Sequence, residues 1–424
     1  MWSLSKFGQK FTQPSGIVSL MEDLGQALAN NGEGVVMMGG GNPAHIPQVE
    51  NLFQQELHKI CNDPAKLRDF IGIYDPPQGK PTFLKSIAQL FQEHYAWDIA
   101  AKNICLTSGS QNAFFLLFNA FAGDFANGAK KHILLPILPE YIGYADIGIA
   151  ENLFRSQKPL VECNENTHRF KYSIDFANLQ ITPETAAICV SRPTNPSANV
   201  LEDSEVSQLQ EIAAKNNIPL ILDAAYGAPF PNLLHKSIST RYDRNTIYCF
   251  SLSKLGLPAL RTGIIIAEEE IIRSLTAMNA IISLSPNSAG SVLTEELFLS
   301  GELLQTCRNI VLPYYQNKLD LAVKCIEKHF TGFDYYLHNP EGAMFLWLWF
   351  PGLQITSQEL YKRLKEKGVI VVSGHYFFPG LEEQTWPHAQ QCLRVSYAQA
   401  EKDGLDRGFA TIAEEVKKAC LSSP

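Results

Sequence analysis

Between residues 133 and 267 the chain repeatedly sets a short apolar run beside a polar, helix-patterned stretch. This alternation restricts its fold more than any other feature. The runs are 133–135, 186–190, 219–222, 247–250 and 263–267. Between them, 204–215 carries Val206, Leu209, Ile212 and Ala213 at helical spacing. Strands that are apolar throughout need cover on both faces, and intervening helices supply it. The expectation is an α/β chain with a mostly parallel central sheet. A ligand would then lie beyond the carboxyl ends of the strands.

The C-terminal third reads differently. A helical pattern covers about 301–329, strand candidates stand at 344–350, 369–372 and 392–397, and a last helix runs from about 402 to 420. We expect a large domain over 50–300 and a smaller, discontinuous α+β domain built from 1–49 and 301–424. The N-terminal 45 or so residues would pack on that smaller domain or on a partner subunit.

Composition excludes several functions. Lys plus Arg is 35 and Asp plus Glu is 43, a net charge of −8, so nothing broad favours a nucleic-acid backbone. The nine cysteines are scattered without a CxxC pair. That argues against a disulfide framework or a zinc site and for free thiols in a reducing cytosol. Segments 114–121 and 344–350 are too short to span a membrane, and the N-terminus lacks a secretory pattern. A cytoplasmic protein with no metal, no membrane and no nucleic-acid partner is expected.

Polar residues after the apolar runs carry the chemistry. Ser251-Leu252-Ser253-Lys254 follows 247–250, and Arg261 stands seven residues beyond the lysine. A lysine that forms an imine needs its ammonium destabilised, and an arginine suits a phosphate. Together they suggest pyridoxal phosphate. Asp223 ends the run 219–222, with Tyr226 three residues on. A buried strand-end carboxylate needs a cation or donor, and a protonated pyridine nitrogen is one; a helix cap is the alternative. The rigid Ser191-Arg192-Pro193-Thr194-Asn195-Pro196 could aim Asn195 at a ring hydroxyl, or be a plain turn. Thr107-Ser108-Gly109-Ser110-Gln111-Asn112 opens a helix and could offer backbone N–H groups to an anion, or simply cap it. Tyr141, after the run 133–135, could stack on a flat ring or fill the core.

Five such elements in one order resemble the fold-type I aminotransferases, the pyridoxal-phosphate family with an aspartate-aminotransferase-like fold, over nearly the whole chain. The resemblance implies pyridoxal 5′-phosphate as cofactor. It makes Lys254 the imine lysine and proton shuttle, and Asp223 the partner of the pyridine nitrogen. Asn195 and Tyr226 would flank the ring hydroxyl, with Tyr141 on the ring. Gly109, Ser110, Ser251 and Arg261 would bind phosphate, with Gln111 and Ser253 among the cofactor contacts. Tyr74, in Tyr74-Asp75-Pro76-Pro77-Gln78-Gly79, is similar to the tyrosine that reaches the neighbouring subunit's cofactor, which implies a homodimer with shared sites. Arg394 and Gly41 would hold the substrate α-carboxylate.

Two departures stand out. The family's Asn-Pro-Thr-Gly reads Asn195-Pro196-Ser197-Ala198, and no arginine lies between Arg273 and Arg308. Members acting on dicarboxylates place a second arginine roughly there, so its absence argues against aspartate or glutamate as donor. The segments Pro340-Glu341-Gly342-Ala343-Met344-Phe345-Leu346-Trp347-Leu348-Trp349-Phe350 and Gly374-His375-Tyr376-Phe377-Phe378-Pro379-Gly380 are similar to a subgroup that exchanges the amino group of L-valine with pyruvate. That implies a neutral amino acid and a 2-oxo acid as substrates. Transamination of other neutral amino acids, or a lyase reaction on the same scaffold, is the alternative.

Overall fold

The computed structural model describes residues 2–29, 34–381 and 386–421. Sixteen strands are named here in chain order: β1 Val36–Met37, β2 Ile104–Thr107, β3 Gly123–Asp124, β4 Lys130–Leu135, β5 Phe154–Ser156, β6 Leu160–Asn164, β7 Arg169–Ser173, β8 Thr185–Ser191, β9 Leu220–Asp223, β10 Thr246–Ser251, β11 Gly263–Ile266, β12 Tyr336–His338, β13 Phe345–Trp349, β14 Val369–Ile370, β15 Val372–Ser373 and β16 Cys392–Ser396. The central sheet has the order β2-β11-β10-β9-β8-β4-β3, with β5 also on β4. Strands β10, β9, β8, β4 and β5 run parallel, and β11 opposes both its neighbours. The expected mostly parallel sheet is therefore present. β8 to β11 and β2 are buried along their whole length, as strands covered by helices on both faces must be.

Because β11 is reversed, its first residue, Gly263, lies opposite both Thr107 at the end of β2 and Ser251 at the end of β10. The segment entering β11 therefore sits on the same rim as the segments leaving its neighbours. An apolar run gives no sign of strand direction, so this reversal is absent from the sequence pattern.

A second sheet has the order β15-β16-β13-β12-β7-β6. Its β6 and β7 come from the middle of the chain. β6 is mostly exposed and reads Leu-Val-Glu-Cys-Asn, without the apolar run that marks the other strands. At the N-terminus, β1 pairs in parallel with β14, so residues 36–37 lie against a strand from the C-terminal part of the chain. The helical pattern over 301–329 forms Glu302–Thr306, a wide π turn at Cys307–Val311, and Leu312–His329. Pro313 has no N–H to bond back four residues, and the widened turn absorbs that defect.

Candidate active site

The predicted residues converge on the rim where the parallel strands end. β2 leads through Ser108 to Gly109, which stands at φ 88° before the helix Ser110–Phe121. A Cβ on Gly109 would fall 2.1 Å from Arg261 Nη2, so only glycine lets the guanidinium lie against the helix start. Free N–H groups of the first turn and a guanidinium thus face one corner, a setting suited to a phosphate. Arg261 is fixed by Nη1, which donates to Ser253 Oγ at 3.2 Å and to the Pro258 carbonyl at 3.3 Å. Ser251 Oγ in turn accepts the Ser253 N–H at 3.2 Å.

Asp223 ends β9 and is nearly buried. Its Oδ2 accepts the Tyr144 hydroxyl at 2.7 Å and its Oδ1 accepts the Ala225 N–H at 2.9 Å. Burial pushes the carboxyl up to about 6, and the two donors and Lys254 oppose that rise. Lys254 lies in the turn Ser253–Leu255 after β10. Its Nζ donates to the Gly41 carbonyl at 2.7 Å and lies 5.4 Å from the centre of the Tyr226 ring. Burial, with the Arg394 and Arg261 charges, lowers this amine to about 8, against the pull of Asp223. A lysine so placed holds a sizeable share of free amine near neutral pH.

Arg394 is carried by β16, opposite Trp347 of β13 and Val372 of β15. It is 1% exposed and lies between the rings of Phe345 and Phe377, at 4.4 and 5.2 Å. Nη1 donates to Asn195 Oδ1 at 2.9 Å and Nη2 to the Gly39 carbonyl. Burial lowers this guanidinium to about 10, still charged at neutral pH. Tyr141 precedes the turn Ile142–Tyr144 and meets the Tyr144 ring edge to face at 5.4 Å. A Cβ on Gly143 would lie 2.4 Å from Tyr141 Cε1, so that glycine makes room for the ring. Tyr226 packs edge to face on Phe345 at 5.5 Å.

Tyr74 alone stays outside the cluster, 79% exposed on a loop. Three contributors had no role assigned from the sequence. Tyr144 bonds Asp223, the Gly39 carbonyl bonds Arg394, and Glu140 is fully buried against Ser191. The Tyr141-x-x-Tyr144 spacing was the only signal for Tyr144. Nothing local marks a contact such as Ser191 to Glu140, 51 residues apart in the chain.

The residues fit pyridoxal phosphate on the structure's own terms. Buried Gln111 Oε1 and Arg394 Nε have no hydrogen-bond partner, Gly109 clears space beside Arg261, and a destabilised amine lies within reach of the Asp223 charge. Unpartnered buried polar atoms at a site call for a ligand or water.

Sheet order and site define a class of enzyme. The description "Aminotransferase class I and II" matches residues 33–412, and the chain belongs to that family. At closer range, it is 45% identical over 421 residues to a valine–pyruvate aminotransferase of Escherichia coli (strain K12), covering 99% of this chain and 100% of that one. A solved valine–pyruvate aminotransferase from Salmonella typhimurium LT2 superposes with TM-score 0.87 and 44% identity, over 96% of this chain and 100% of that one. A putative amino-acid aminotransferase from Psychrobacter arcticum 273-4 gives TM-score 0.96 and 42% identity over all of both chains.

Proposed function

We propose that the chain transfers the amino group of L-valine to pyruvate, giving 3-methyl-2-oxobutanoate and L-alanine, with pyridoxal 5′-phosphate as cofactor. The observation that carries the substrates is the 45% identity, end to end, with the E. coli valine–pyruvate aminotransferase. The lack of any arginine between Arg273 and Arg308 supports it, since an apolar side chain needs no second cation.

When bound, pyridoxal phosphate supplies an aldehyde that takes up the amino group and a ring that absorbs the electrons of the broken Cα–H bond. Arg261 with the N–H groups after Gly109 would hold its phosphate, with Ser110, Gln111, Ser251 and Ser253 around it. Asp223 would hold the ring nitrogen, Asn195 and Tyr226 the ring hydroxyl, and Tyr141 one ring face. Lys254 Nζ would take the α-proton and return it two bonds away, on the far side of the amino nitrogen, a task for an amine lowered toward neutrality. Arg394 grips the α-carboxylate beside Gly41. An apolar pocket separates substrates differing by one methylene only weakly, so 2-aminobutyrate is also accepted.

We further propose a homodimer with shared sites, working in the cytoplasm. Tyr74 and the exposed Ile71, Ile73, Ile281, Ile282 and Leu284 lie on two segments joined by Asn279 Nδ2 donating to the Pro77 carbonyl at 2.8 Å. Exposed apolar side chains on two adjoining segments suit contact with a second copy. Among the described residues no helix is long and apolar enough to cross a membrane.

Purified protein given valine and pyruvate yields alanine and the branched oxo acid. Ammonia or carbon dioxide as product would instead point to a lyase or decarboxylase. Lys254→Ala abolishes turnover and the visible absorbance of the lysine–cofactor bond; near-normal turnover in that variant overturns the assignment.

A further inference from the structure

Behind Asp223 lies a second carboxyl that the reaction does not use. Glu140 is fully buried and sits just before Tyr141, with its own N–H donating to the Phe377 carbonyl at 2.9 Å. The Ser191 N–H donates to Glu140 Oε1 at 2.8 Å and the Tyr141 N–H to Oε2 at 3.3 Å. The Ser191 hydroxyl lies 2.5 Å from Oε2 and 3.4 Å from the Tyr144 hydroxyl, which donates to Asp223 at 2.7 Å. Glu140 and Asp223 therefore stand at the two ends of one line of hydroxyls. The ionisable groups around Glu140 are Tyr141 and Tyr144 in the turn that follows it, Cys189 on β8 and Asp223 on β9.

Such a line has two proton arrangements, set by the state of Glu140. Tyr144 has one hydroxyl proton, which it donates in a hydrogen bond to Asp223. Ser191 has one, and its direction depends on Glu140. With Glu140 ionised, Ser191 donates to it, and the Ser191–Tyr144 contact holds no proton. With Glu140 protonated, it donates to Ser191, Ser191 to Tyr144 and Tyr144 to Asp223. Every proton then points one way, and aligned hydrogen bonds reinforce one another. Two carboxylates in one dry pocket do not both ionise. The one facing a cationic ring nitrogen keeps the charge.

We propose that Glu140 is a positioning residue for Asp223: a protonated carboxyl that heads the chain Ser191–Tyr144–Asp223 and keeps the negative charge on Asp223. Burial acts on the two acids in the same order, raising Glu140 to about 8 and Asp223 only to about 6. The inference rests on Asp223 as the partner of the ring nitrogen.

Two readouts test it, using the full chain. Infrared spectra of the protein without cofactor at neutral pH should show the carbonyl stretch of a protonated carboxyl. It should be lost in Glu140→Gln and kept in Asp223→Asn. In titrations with pyridoxal phosphate, Glu140→Gln, which can still donate to Ser191, should bind within about threefold of the parent. Glu140→Ala and Ser191→Ala should each bind at least tenfold more weakly. Absence of the stretch in the parent overturns the proposal. So does Glu140→Ala or Ser191→Ala binding like the parent, or Glu140→Gln binding as weakly as Glu140→Ala. A parent chain that binds no pyridoxal phosphate defeats the reading of Asp223 instead, while the infrared measurement still decides the state of Glu140.

Discussion

Arg394→Lys tests the proposed grip of Arg394 on the substrate carboxylate. The native guanidinium is a planar fork lying over the rings of Phe345 and Phe377, with Asn195 and the Gly39 carbonyl accepting from its two Nη groups. Such a fork can meet a carboxylate with two parallel N–H bonds, whereas a lysine offers a single point of charge. Losing one charge-assisted bond costs about 2–3 kcal/mol, which is about 30- to 150-fold in kcat/KM. Valine, alanine and pyruvate all present the same carboxylate next to the reacting carbon, so all three should lose by the same factor. A primary amine of valine's shape without the carboxylate should react no worse with the variant than with the parent. The assay is half-reaction kinetics, following cofactor absorbance with each substrate in turn. A loss below about threefold, or an equal loss for the carboxylate-free amine, refutes the reasoning.

Three other perturbations follow from the same structure. Gly109→Ala drives a methyl into Arg261 and places alanine at φ 88°; titration of the folded variant with pyridoxal phosphate should show binding at least tenfold weaker. Ala198 holds φ 61° where the family has glycine, so Ala198→Gly should relieve about 1 kcal/mol of backbone strain and raise the melting temperature by a degree or two, read by calorimetry. The pH dependence of stability has a definite sign at Glu140. A carboxyl raised from 4.5 to about 8 in the fold contributes stability that is full below 4.5 and lost as pH rises through 8. Without cofactor, the melting temperature of Glu140→Gln relative to the parent should therefore climb between pH 4.5 and 8 and level off above; a flat difference refutes it.

The residues proposed to hold the cofactor were legible because each stands at or just after the end of a fully buried strand. Lys254, Asp223, Asn195 and Gly109 stand where an apolar run gives way to polar residues, and strand ends are where α/β sheets place ligands. The lines that tie these residues together were not legible. Tyr144 and Glu140 meet partners 79 and 51 residues away in the chain, and no local spacing encodes such a meeting. The second sheet was read only in part for the same reason. β13 and β16 announce themselves by apolar content, but β6 is mostly exposed and takes its place only through register with β7. Tyr74, read from its motif, shows no function within a single chain, since it lies on the outer surface.

The bond from Arg394 to the Gly39 carbonyl spans 355 residues, and this orders events during synthesis. Gly39 leaves the ribosome early and Arg394 late. The parallel strands that carry Asp223 and Lys254 are complete long before β16 exists. The residues proposed to meet the cofactor thus precede in the chain the one proposed to clamp the substrate. The proposed clamp is complete only when the strand bearing Arg394 lies beside β13 and meets Gly39 near the start of the chain.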